Sequence, residues 1–156
     1  MSRYLLTLGL VFALWFAALV ISPVSREAWA LENVLAVLAV TRRRFPLSSL
    51  SYTAIFLYLC LHTLGAHYTY SLVPYQDFVT RVFGEGASAI FASERNQFDR
   101  FVHFMYALLL AYPIREVFLR IANVRGFWGY CLPLDLIMST SMIYELIDSG
   151  AAELFG

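Results

Sequence analysis

Ionisable side chains recur inside long apolar stretches of this sequence, where they could do acid–base chemistry. Such groups are costly within a membrane and mark polar clusters, functional or structural, that face the interior of a helix bundle. Histidine together with carboxylates suits general acid–base catalysis, divalent metal binding or proton relay. The residues that we take as catalytic candidates are His67, Asp99, His103, Glu145 and Asp148.

The spacing of these candidates places several of them on common helix faces. Asp99 and His103 are four residues apart, so a helix brings them to the same side. Ser141, Glu145 and Asp148 likewise share one face of the last apolar stretch. A simpler interpretation of Asp99 and His103 is that the carboxylate orients the ring or caps the helix, and the sequence leaves both interpretations open.

We expect only one of two neighbouring histidines to belong to the cluster. His62 and His67 are five residues apart, which is about 140° around a helix, so they point in different directions. We prefer His67 because its depth matches that of the other candidates, and we assign His62 to helix packing. A divalent metal is a further possibility, although no two ligands have the His-x-x-x-His spacing; its candidate ligands are His67, Asp99, His103 and Glu145.

Other charged residues extend the polar set. Glu32 and Arg100 are assigned to a wider polar cluster, with an interfacial anchor as the alternative role for Glu32. Arg115 and Glu116 are adjacent, and we expect them to form an ion pair at the opposite, inner membrane interface.

Composition places these residues in a lipid bilayer. The chain is 60% hydrophobic and only 14% charged, with a mean hydropathy of +0.67, whereas soluble domains carry about 25% charged residues. The formal net charge is zero, so nothing indicates a nucleic-acid partner. The metalloprotease motif His-Glu-x-x-His and glycine-rich phosphate loops are absent from the sequence.

The apolar runs predict an all-α fold, a polytopic transmembrane bundle in a single domain over residues 1–156. A short interfacial helix is expected after Pro74, over residues 75–83. A signal peptide is the alternative for the first run, and a re-entrant helix is the alternative for the second. The predicted spans lie near residues 4–22, 25–41, 48–69, 98–121 and 130–153.

The arginines set the expected orientation. Arg42, Arg43 and Arg44 precede the third span, and three more arginines surround the connection between the fourth and the fifth. Arginine-rich short loops stay in the cytoplasm, so the amino terminus is predicted inside and the loop 71–97 outside. The catalytic candidates then lie in the outer leaflet.

Several motifs resemble a known family. They are residues 29–33 (WALEN), 62–71 (HTLGAHYTYS), 95–104 (RNQFDRFVHF) and 144–148 (YELID). Together they resemble the YjdF-like bacterial inner-membrane proteins, over residues 29–156. The resemblance implies a multi-pass inner-membrane protein and gives no reaction, because the molecular function of that family is unknown.

A more distant resemblance links Asp99-Arg100-x-x-His103 and the later Glu145 to the VanZ-like membrane proteins, which are associated with the cell envelope. The YjdF-like pattern continues with Gly-Asp-x-x-Asp and a last helix after the point where this sequence stops. The sequence is therefore either a short member or a piece of a longer chain.

Three functions remain open from the sequence. The first is chemistry on envelope lipid-linked or phosphate-bearing substrates, with or without a divalent metal. The second is a small transporter or a proton or ion relay. The third is a structural subunit. The expected partners are the lipid bilayer and either another membrane protein or a second copy of the chain.

Overall fold

The structure is a computed structural model that describes residues 3–26, 29, 47–70, 72–84 and 97–155. Within these residues the secondary structure consists of five helices, with no strand. The helices are α1 (Arg3–Leu19), α2 (Ser49–His67), α3 (Tyr75–Phe83), α4 (Phe98–Ile121) and α5 (Trp128–Phe155).

The all-α class predicted from the sequence is confirmed. By length and composition, two helices of the described ranges are apolar enough to cross a membrane, over Ser49–His67 and Phe98–Arg120, and the shorter Arg3–Leu19 is also apolar. The five-span count and the single membrane domain stay predictions. Most of the predicted span 25–41, and residues 85–96 of the predicted outer loop, lie outside the described residues.

The chain divides into two compact units, and each is described by itself. Unit 1 takes in residues 1–46 and 56–102, and unit 2 takes in residues 47–55 and 103–156. The hydrophobic core of unit 1 is formed by Val73, Phe98 and Val102, which are each at most 7% exposed. Aromatic and aliphatic side chains close around it: Tyr58, Leu64, Tyr68, Tyr70, Tyr75 and Phe101.

A tryptophan joins α1 to α2 within unit 1. The indole Nε1 of Trp15 donates to the hydroxyl of Thr63 at 3.1 Å and to the carbonyl of Cys60 at 3.2 Å. Thr63 is fully buried, and its hydroxyl gives the indole N–H a hydrogen-bond partner. Phe12 meets Phe56 edge-on, with 6.5 Å between the ring centroids.

The turn after α2 folds the Tyr70 side chain back onto the helix. Thr69 and Tyr70 have φ values of 52° and 56°, which is uncommon for residues other than glycine. A Cβ at Gly65 would overlap the Tyr70 ring. Glycine at this position therefore makes room for the ring.

Helix α3 is short and amphipathic. Val79 is 4% exposed, whereas Phe78 and Val82 are 62% and 55% exposed. Gly84 ends the helix with a φ of 82°. The helix occupies the predicted residues, and its location at a membrane interface stays a prediction.

In unit 2 a tight connection joins α4 to α5. Gly126 has a φ of 63°, and a Cβ at Gly129 would lie 2.9 Å from the carbonyl oxygen of Val124, closer than a side chain can approach. The two helices contain Pro113 and Pro133, and Pro133 is fully buried. Helix α5 also has exposed apolar side chains: Leu134, Met138, Met142, Ile143, Leu146 and Ile147.

Candidate functional site

A histidine of α4 and two side chains of α5 form a polar site in unit 2. His103 Nδ1 lies 3.1 Å from the hydroxyl of Ser141, and His103 Nε2 lies 3.7 Å from a carboxylate oxygen of Glu145. Ser141 and Glu145 are four residues apart on α5, so both face the imidazole. We call these three residues the His103 site.

The proton positions of the His103 site follow from its partners. A neutral imidazole has one donor and one acceptor nitrogen. With the proton on Nε2, toward Glu145, the Nδ1 atom accepts the hydroxyl proton of Ser141. The His103 side chain is 25% exposed and that of Glu145 is 64% exposed. The ring is thus half-buried beside a carboxylate that remains accessible.

A second pair of polar groups lies one turn away on the same two helices. The hydroxyls of Tyr106 and Thr140 are 2.7 Å apart. Thr140 donates to the carbonyl of Leu136 at 2.7 Å, so Tyr106 is the donor in the pair. The ring of Tyr144 approaches His103 edge-on, with 6.2 Å between centroids. A line of polar contacts therefore lies between α4 and α5, with the His103 site at one end. We call this line the polar seam.

The two other histidines lie in unit 1. His67 Nδ1 is 2.7 Å from the carbonyl of Leu19, and a carbonyl only accepts, so Nδ1 carries the proton. The amide of Val24 donates to the His67 carbonyl at 3.0 Å. His62 is 5% exposed, and its Nδ1 lies 2.7 Å from the Tyr70 hydroxyl. His67 thus joins the end of α2 to the segment that follows α1.

The remaining predicted site residues are Asp99, Arg100, Asp148 and Glu32. Asp99 and Arg100 are exposed in the first turn of α4, and Arg100 donates to the Gln97 side chain at 3.3 Å. Asp148 follows Glu145 by about one turn on α5, with its side chain outside the described part. Glu32 also lies outside the described residues.

The sequence left a divalent metal open, with candidate ligands on α2, α4 and α5. Among the residues that the structure describes, there is no group of three or more His, Cys, Asp or Glu side chains that could hold a metal ion.

A buried carboxylate on α4 has several polar partners that were not predicted from the sequence. Glu116 is 8% exposed. It accepts hydrogen bonds from the Ser48 amide at 2.9 Å and 3.1 Å, from the Ser48 hydroxyl at 2.9 Å and from the Ser51 hydroxyl. Arg120, one turn later, forms an ion pair with it. We call this arrangement the Glu116 centre.

The predicted ion pair between Arg115 and Glu116 is wrong. Neighbouring residues on a helix point about 100° apart, whereas residues four apart face the same way. Glu116 accordingly pairs with Arg120, and the Arg115 guanidinium lies 4.2 Å from the centroid of the Tyr130 ring. No local pattern predicts the bonds of Glu116, because Ser48 and Ser51 precede it by more than 60 residues.

The helices, the apolar surface and the buried polar groups define a helical membrane protein. The model of one family, described as predicted membrane protein (DUF2238), matches residues 4–156. The chain belongs to this family.

A curated relative supports the same assignment. The chain is 34% identical over 146 residues to "Inner membrane protein YjdF" of Escherichia coli (strain K12), with 87% of this chain and 64% of the relative covered. The chain thus spans somewhat less than two thirds of that protein's length. No solved structure matches the chain. The resemblance to the YjdF-like proteins is confirmed, whereas the resemblance to the VanZ-like proteins stays a prediction. The curated relative also supports a location in the bacterial inner membrane.

Proposed function

We propose that this protein is an inner-membrane enzyme that acts on a phosphate-bearing envelope lipid, with His103 as the general base. The observation that carries the proposal is the position of His103 between a hydroxyl and a carboxylate. A base oriented by an acid and bonded to a hydroxyl is the arrangement that activates oxygen nucleophiles.

The three residues of the His103 site have different proposed roles in the reaction. His103 Nδ1 takes the proton of the Ser141 hydroxyl as that oxygen attacks the phosphorus of the lipid. Glu145 stabilises the imidazolium, which then gives its proton to the alkoxide that leaves the phosphorus. Ser141 holds the ring through Nδ1 and is itself the hydroxyl nearest to the base. The exposed Glu145 carboxylate leaves room for a polar headgroup, while the apolar surface of α5 suits the acyl chains. His67, Asp99 and Asp148 stay proposed catalytic residues, and Glu32 and Arg100 stay proposed members of a wider polar cluster.

The proposed topology places the His103 site toward the outer leaflet. The amino terminus is cytoplasmic, the chain crosses the membrane several times and the loop 71–97 is extracytoplasmic. The arginines of the short loops support this orientation. A membrane-protein partner or a second copy of the chain would pack on the exposed apolar side of α5.

The test uses purified full-length chain in detergent, incubated with the polar-lipid extract of a strain that lacks the gene. Mass spectrometry identifies any lipid species that the protein consumes. We expect His103→Gln and Glu145→Gln to slow consumption about 100-fold or more, because general-base catalysis contributes about that factor. Ser139→Ala, on the exposed side of α5, is the control and should react as the wild type does. Full activity of a folded His103→Gln protein would refute the proposal.

The polar seam favours one alternative, a proton relay. The Tyr106–Thr140 pair continues the polar contacts by one helical turn, as a relay requires. Proteoliposomes loaded with a pH-sensitive dye test it: a relay dissipates an imposed pH gradient and Tyr106→Phe blocks that flux, whereas the enzyme proposal predicts no flux. If the site only joins helices, the substitutions lower melting temperature without altering either activity.

A further inference from the structure

An aromatic and basic surface surrounds the connection between α4 and α5. Phe127, Trp128 and Tyr130 are 72%, 61% and 59% exposed. Arg125 is exposed beside them, and its Nε donates to the Asn123 side chain at 3.1 Å. Together with Arg115, the residues Arg125, Phe127, Trp128 and Tyr130 are called the connection surface. The proposed enzyme site uses none of them.

Arg115 brings a positive charge to this surface. Its guanidinium carbon lies 4.2 Å from the centroid of the Tyr130 ring, a cation–π distance. Its Nε is buried and has no hydrogen-bond partner within the described residues. Leaving such a donor unpaired is unfavourable, so the site gains from an acceptor that binds there.

The adjacent carboxylate does not meet that need. Glu116 points to Ser48, Ser51 and Arg120, which occupy both of its oxygens. The acidic residue that follows on α5, Asp135, is exposed and lies about 10 Å along the helix from Trp128. The connection surface therefore keeps the positive charge of Arg115 and Arg125.

The backbone holds these groups in a fixed arrangement. Gly126 adopts a φ of 63°, and Gly129 packs so tightly on the Val124 carbonyl that a Cβ would lie at 2.9 Å. The turn sets where α5 begins, and with it the positions of Trp128 and of Tyr130, whose ring lies against the Arg115 guanidinium. Preformed geometry lowers the entropic cost of binding a ligand.

We propose that the connection surface binds the phosphate headgroup of an anionic phospholipid. Guanidinium groups suit phosphate because their forked donors match its oxygens. Exposed tryptophan and tyrosine are enriched at the level of lipid headgroups, which favours a membrane lipid over free phosphate. The surface uses the end of α4 and the start of α5, whereas the His103 site uses their opposite ends, so this proposal goes beyond the proposed function.

Native mass spectrometry of the full-length chain in detergent tests the proposal. The protein is titrated with phosphatidylglycerol and, separately, with phosphatidylcholine of the same acyl chains. We expect tighter binding of phosphatidylglycerol. Arg115→Gln should weaken it about fivefold, the factor equivalent to the roughly 1 kcal/mol that one basic residue contributes near an anionic membrane.

The control is Arg81→Gln, which removes an exposed arginine of α3 and so changes the net charge equally; it should bind as the wild type does. If Arg115→Gln does not fold, Arg125→Gln alters only an exposed side chain and should show a similar loss. Equal affinity for the two lipids, normal binding by the variant, or an equal loss in Arg81→Gln would overturn the proposal. Displacement of the lipid by millimolar inorganic phosphate would also do so.

Discussion

The Glu116 carboxylate of unit 2 has a polar partner at each of its oxygens. Two serines and an arginine satisfy it at the start of α2. Helix amino termini favour negative charge because their first amides are unpaired. Glu116 thus serves as a cap that reaches from α4 to the first residues of α2. This role makes Glu116 structural, in contrast to the exposed Glu145.

Replacing Glu116 by Gln should destabilise the protein. The amide keeps one acceptor oxygen, but it turns an N–H₂ group toward donors and removes the ion pair with Arg120. Hydrogen bonds to charged groups contribute about 1.5–3 kcal/mol, so we expect the free energy of unfolding to fall by about 2 kcal/mol. Thermal unfolding in detergent, followed by tryptophan fluorescence, measures the change.

The control for this prediction is Asp77→Asn, which alters an exposed carboxylate of α3. It should leave the melting temperature close to that of the wild type. A Glu116→Gln protein that melts with this control would show that the buried bonds contribute little.

Gly65 offers a second residue-scale prediction. Gly65→Ala would place a Cβ against the Tyr70 ring, and overpacking typically costs about 1–3 kcal/mol. In a Tyr70→Ala background the same substitution should cost much less, because the ring is gone. Melting temperatures of the single and double variants measure this coupling. Gly9→Ala is the control, since its Cβ meets nothing within 4 Å; a full cost in both backgrounds would contradict the account.

At the scale of elements, the pairing of α4 with α5 makes the His103 site. His103 comes early in α4, and its partners come late in α5, so the two helices run in opposite directions past each other. The tight glycine connection near Gly129 fixes the start of α5 against the end of α4. The site therefore depends on the register of this helix pair.

Cysteine crosslinking tests that register. In a background without Cys60 and Cys131, a cysteine at position 103 and another at 141 should form a disulfide on mild oxidation. The side chains of His103 and Ser141 are in hydrogen-bonding contact at 3.1 Å, so the two positions face each other. Positions 103 and 139 are the matched control, because Ser139 is exposed on α5. Equal crosslinking of the two pairs would contradict the register.

The helices could be predicted from the sequence because long apolar runs and the residues that flank them are local features. Helix α4 begins at Phe98 and ends at Ile121, the bounds of the predicted fourth span. The fold-back of Tyr70 could not be predicted. It depends on positive φ values at Thr69 and Tyr70, and neither residue is a glycine.

The polar contacts were predictable only in part. Depth and helical spacing selected His103 and Glu145, which are in contact. The same reasoning placed Ser141 on the face of Glu145 without assigning it to the site. Glu116 was misassigned because its partners on α2 are more than 60 residues away in sequence, and local patterns do not reveal such pairings.

At the scale of the whole molecule, family membership and composition agree on a bacterial inner-membrane protein. The proposed orientation predicts which surfaces face each compartment. In a cysteine-free background, Asp77→Cys on α3 should react with a membrane-impermeant maleimide in cells whose outer membrane has been permeabilised. Arg125→Cys should react only after the inner membrane is opened. The reverse labelling pattern would show that the topology is opposite to the proposed one.

The lipid composition of cells tests the central claim, that His103 and Glu145 act on an envelope lipid, most directly. A strain without the gene should accumulate a phosphate-bearing lipid that mass spectrometry of whole-cell extracts detects. Plasmids that encode the wild type or Ser139→Ala should remove it, and those that encode His103→Ala or Glu145→Ala should not, at equal amounts of folded protein. A wild-type lipid profile in cells with folded His103→Ala protein would contradict the account.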